Sequence, residues 1–81
     1  MTRQEITEQA VSLRERAEKN RNHERETRRE MATVQERESI LLQYAANHAT
    51  DEDLRIAQLA LPGRVSVMNW AEKNINQNGG N

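Results

Sequence analysis

The chain has 81 residues, 12 of them Lys or Arg and 13 Asp or Glu, for a net charge of −1. So even a balance excludes, as whole-chain descriptions, both the strongly basic polyanion binder and the strongly acidic nucleic-acid mimic. The absence of cysteine excludes disulfides, thiol nucleophiles and Cys-based zinc sites.

Apolar residues make up 35% of the chain, against about 45–50% in a typical globular domain, so residues 1–81 are expected to form one small domain with a modest core. Residues 1–61 contain neither Gly nor Pro, which points to an all-α chain. Thr2 followed by Glu5 fits a capping box and places a helix start near Arg3. Ile6, Ala10, Leu13 and Ala17 then recur at spacings of four, three and four. That is a narrow seam of coiled-coil type, and its two alanines allow close helix approach.

The next stretch, AEKNRNHERETRRE from Ala17 to Glu30, offers no apolar residue after its first. A heptad frame carried through it returns Met31, Val34 and Leu41 to the seam. That continuity of phase favours one long helix over residues 3–48, roughly 70 Å at 1.5 Å per residue. Glu15–Lys19 and Glu24–Arg28 have the favourable four-residue spacing, each adding about 0.2–0.5 kcal/mol to a helix. The alternative is a hairpin broken near Asn20–His23, pairing 3–19 with 25–48, because Asn20, Asn22 and His23 form helix poorly and tolerate turns.

From Ile40 to Ala46 the apolar residues cover more than one face, so this segment needs neighbours on several sides. Thr50 with Asp53 three residues on, together with Asp51 and Glu52, marks a second helix start. A short helix over 50–61 ends at Pro62-Gly63, another spans 64–76, and 77–81 read as a flexible tail. The expected architecture is a long N-terminal helix with a coiled-coil-like seam, followed by a two-helix corner packed on its C-terminal part.

The corner DLRIAQLALPGRVSVMNWAEK, Asp53 to Lys73, resembles a weak helix-turn-helix motif over about a quarter of the chain. Ala57 takes the small position, Leu61-Pro62-Gly63 the turn, and Val67 and Trp70 the anchors of the second helix. It departs from the pattern in carrying Leu61 where Gly is usual. The resemblance implies that Arg64, Ser66, Asn69 and Lys73 face a major groove. Arg21 and Arg25, from the basic cluster Arg14 to Arg29, would then supply phosphate contacts. Glu15, Glu18, Glu24 and Glu26 are interleaved with that cluster, a pattern that suits a solvated helix face. With Tyr44 and Trp70 as its two aromatics, the chain has no platform for stacking single-stranded bases.

No spacing of residues points to a nucleophile, a phosphate loop, a cofactor or a metal, and His23 and His48 lie far apart in the chain. The function expected is that of a non-catalytic helical interaction module, with no small-molecule ligand. It would be a homodimer through Ile6, Ala10, Leu13 and Ala17, extended by Met31 and Val34, and would bind a further protein of unknown identity. Small accessory or regulatory proteins borne by phages or plasmids often have this composition, an association rather than a derivation. A DNA-binding regulator using 53–73 is the alternative. Without an apolar leader or spanning segment, the expected setting is the cytoplasm, away from membrane.

Overall fold

The structure, a computed structural model, describes residues 1–79, with side chains through Gln77. It contains four helices: α1 (Arg3–Arg21), α2 (Glu26–His48), α3 (Asp51–Ala60) and α4 (Arg64–Gly79). The all-α class and the corner of two short helices are as expected. The favoured course of residues 3–48 is corrected: they fold back as the hairpin, turning over Asn22–Arg25. A continuous helix of roughly 70 Å could not fit a molecule whose longest dimension is 42 Å.

The start of α1 is set by the capping box read from the sequence. Thr2 Oγ1 accepts from the Glu5 amide, and Glu5 Oε1 accepts from the Thr2 amide, both at 3.2 Å. Two orphan amides of the first turn are thereby satisfied. Ile6, Ala10, Leu13 and Ala17 are all buried, at 4% exposure or less. What buries them is α2, through Ala32, Ser39, Leu42 and Ala46, with Gln35 half-buried in the same stripe. Those α2 positions lie one residue beyond the heptad frame carried through the turn, although Leu41 and Ala45, which are on the frame, are buried as well. Hence Met31 and Val34, expected on the seam, are 48% and 58% exposed.

The reason is one of size as much as hydrophobicity. With Ala10 and Ala17 on one helix and Ala32, Ser39 and Ala46 on the other, the backbones approach closely enough for Ser39 Oγ to donate to the Ala10 carbonyl at 2.5 Å. Polar ties close the open end of the seam: Asn20 Nδ2 donates to Gln35 Oε1 at 2.8 Å, and Arg21 pairs with Glu36. The turn needs no special backbone. The Asn22 amide still bonds back to the Glu18 carbonyl, and Arg25 is extended (φ −75°, ψ 129°) before α2 begins.

Arg3 joins the two halves of the chain. Its guanidinium donates to the Ala46 and Ala49 carbonyls at 2.5 and 2.7 Å and to Asp51 Oδ1 at 2.9 Å. It therefore caps the C-terminus of α2 and steadies the N-terminus of α3, where Thr50 and Asp53 form a second capping box. Pro62-Gly63 then reverses the chain, with Gly63 at φ 91°, a backbone angle that glycine tolerates best. Val67 and Ala71 of α4 are fully buried in the core. Arg37 pairs with Glu72 at 2.5 Å and Glu38 with Arg64 at 3.7 Å across α2 and α4. Helix α4 continues past its expected end because Ile75 still packs on the core and nothing before Gly79 stops it. The expected tail is thus helical from 77 to 79, and residues 80–81 lie outside the described residues.

Substitutions along the seam should separate size from hydrophobicity in urea unfolding followed by far-UV circular dichroism. Leu42→Ala is expected to cost about 2–5 kcal/mol by opening a cavity. Ala10→Leu should cost about 1–3 kcal/mol by forcing the helices apart. Val34→Ala, at a position that faces water, should change stability by no more than about 0.5 kcal/mol.

Candidate interaction surface

Helix α3 has ten residues and more apolar side chains than one packed face can take. Leu54 is buried at 5%, tying the helix to the core, while Ile56 and Leu59 stand 54% and 71% exposed. Ile56, Leu59 and Ala60 share one side of the helix by their three- and four-residue spacing. The corner adds Leu61 and Val65, also exposed. Between α3 and α4 runs a groove of about 370 Å³, walled by Ile56, Ala57, Ala60, Leu61 and Trp70. Asp53 and Lys73 supply its polar edges. Exposed apolar patches with a charged margin are a common mark of contact sites on small folded chains.

Trp70 holds this groove in place from the other side. Its ring lies 6.1 Å from Tyr44, whose own ring is 4.4 Å from that of His48, so the three form a row from α4 onto the end of α2. Beside that row, a second crevice of about 390 Å³ runs along the hairpin, between Arg14, Glu18 and Arg21 on α1 and Ile40, Tyr44 and His48 on α2. The exposed Arg55 guanidinium has its pKa raised by the hydrogen bond to the Glu52 carboxylate. Among the described residues no three His, Cys, Asp or Glu side chains come together as a metal site, and no helix is long and apolar enough to cross a membrane.

The residues expected to form a dimer stripe do not form a surface. Ile6, Ala10, Leu13 and Ala17 are occupied inside the hairpin, and Met31 and Val34 stand apart from them on exposed positions of α2. The four residues of the helix-turn-helix reading are not presented as one edge either. Ser66 is buried at 4% and its hydroxyl donates to the Gly63 carbonyl at 2.7 Å. Arg64 faces Glu38. Asn69 and Lys73 are exposed and border the α3–α4 groove. Arg21 is engaged with Glu36, and Arg25 sits exposed in the hairpin turn. Missed in the sequence was the outward set Ile56, Leu59, Leu61 and Val65. The available signal was the apolar excess of α3, since so short a helix cannot bury apolar residues on every side.

The fold and surface together define a small all-α protein in which a tight two-helix hairpin carries a two-helix corner with an exposed apolar face. The chain matches no protein-family model, no curated protein and no solved structure with which it was compared.

Ser66 and Asn69 distinguish a structural corner from a reading edge. Ser66→Ala should lower stability by about 0.5–1.5 kcal/mol through the lost hydrogen bond, and Asn69→Ala should leave it within about 0.5 kcal/mol. Thermal unfolding of the two variants checks both.

Proposed function

We propose that this chain is a non-catalytic helical interaction module that docks an amphipathic helix of a protein partner on its α3–α4 corner. The single observation that carries this reading is the exposed apolar set Ile56, Leu59, Leu61 and Val65 on the corner, of which Ile56 and Leu61 line a groove walled also by Trp70. Ala57 and Ala60 leave room in that groove for the ridge of an incoming helix, whose apolar residues at i, i+3, i+4 and i+7 would fill it. Asp53 on one margin and Lys73 on the other favour a partner with a basic and an acidic residue flanking its apolar stripe. A homodimer that packs closed hairpins through the seam would need that seam exposed, and in the closed hairpin it is internal. Docking at the corner leaves the hairpin undisturbed.

Charge placed in the groove should abolish docking without unfolding the chain, because the substituted side chains already face water. In an affinity purification from cells that encode the protein, the wild type and a Val34→Asp control are expected to retain the same protein partner. Ile56→Asp and Leu61→Asp should each lose it by about tenfold or more, the worth of one buried aliphatic side chain. Equal retention by the corner variants, or retention of duplex DNA in place of a protein, would sink the proposal.

A further inference from the structure

We infer that residues 22–25 are a hinge through which α1 exchanges between two copies of this chain, producing a dimer in which each α1 lies on the other copy's α2. The groups that hold α1 all lie beyond the hinge. They are the seam residues of α2, Gln35 and Glu36 near the turn, and the Ala46 and Ala49 carbonyls with Asp51 at the far end. An α1 supplied by a second copy meets the same groups in the same geometry. Closed and exchanged forms therefore differ mainly in the hinge and in the entropy of association, the condition under which exchange is an inexpensive route to a dimer.

The hinge itself favours opening. Every residue from Arg21 to Met31 is exposed, so straightening this segment uncovers no core. It contains no Gly or Pro, and among the described residues the only positive φ belongs to Gly63, far from it. Helical bonding already runs through the Asn22 amide from one side and resumes with the Arg28 amide on the Arg25 carbonyl from the other. Arg21–Glu24 and Glu24–Arg28, at three- and four-residue spacing, reward a helix through the hinge, against the loss of the exposed turn bonds from the Arg25 amide to His23 Nδ1 and from Arg29 to the Glu24 carbonyl. The seams on either side sit 15 residues apart, at Ala17 and Ala32, one more than two heptads. A helix absorbs such an offset by a local change of supercoil, and the polar hinge gives it room. This inference concerns self-association alone and holds whether or not the α3–α4 corner docks a partner.

Two sets of variants of the full chain test it. Asn22→Ala/His23→Ala makes the hinge a better helix, and should raise the fraction of dimer seen by sedimentation equilibrium, strengthening association by about tenfold to a hundredfold. Two glycines inserted after His23 should instead give a folded monomer at every concentration. Asn20→Cys/Gln35→Cys places thiols at two positions that face each other across the hairpin, within reach of a short thiol–thiol cross-linker. Cross-linked in the dimer fraction, they are expected to link two chains, and in the monomer fraction to close within one. Two results would overturn the exchange: a monomer at hundreds of micromolar even with the alanine hinge, or a dimer whose cysteines close within each chain.

Discussion

The close approach of α1 and α2 governs the rest of this molecule. Alanines occupy the crossing, and a serine hydroxyl reaches the opposite backbone across it, donating to the Ala10 carbonyl at 2.5 Å. Large side chains at those positions would hold the backbones apart, and the seam of Ile6 and Leu13 would lose its cover. Because α1 takes one face of α2, Leu41, on a neighbouring face, lies beside Ile75 of α4 in a crevice at their junction. Helix α3 arrives last, tied to the core by Leu54 and to α1 through Arg3, and its outer face has nothing left to pack against. The exposed corner follows from the order in which faces are used.

How much of this was legible in the sequence depends on which interaction carried the signal. Local hydrogen bonding is written in local spacing. The Thr2–Glu5 and Thr50–Asp53 boxes and the Pro62-Gly63 stop appear where the sequence places them. The pairing of helices is not local. The heptad frame was right within α1, where the chain is unbroken, and one residue out in α2, because a turn intervenes and resets the phase. Ser39 and Gln35 belong to the seam that α1 packs on, yet a search for apolar residues passes over them. The apolar Met31 and Val34 attract such a search and face water. At a close crossing the informative property is smallness, and Ala32, Ser39 and Ala46 carry it.

The even charge balance acts in the same direction. The highly charged segment from Glu18 to Glu30 neither enters the core nor concentrates one sign. Its cross-hairpin pair, Arg21 with Glu36, has both side chains about half exposed, so it contributes little to stability, about 0–1 kcal/mol. What the segment does is keep the turn in water, held by local bonds such as the Arg25 amide to His23 Nδ1 and Arg29 to the Glu24 carbonyl. Its interleaved acids also weaken any phosphate-binding role for the basic cluster, because a track for a polyanion requires the acids off the contact face.

A thin seam, an exposed turn and an apolar corner are three consequences of one shortage. With apolar residues at 35% of the chain, a core can be closed only where small residues let helices come close, and there it is closed by few side chains. The corner has the opposite character: it holds large aliphatic side chains with no partner, and burying them on another molecule would return about 25 cal/mol for each Å² covered. The proposed self-exchange at the hairpin and the proposed docking at the corner would therefore draw on different parts of the chain. A seam made of small residues suits its own complement, whereas the groove between α3 and α4 would suit a helix of matching period with charges opposite to Asp53 and Lys73.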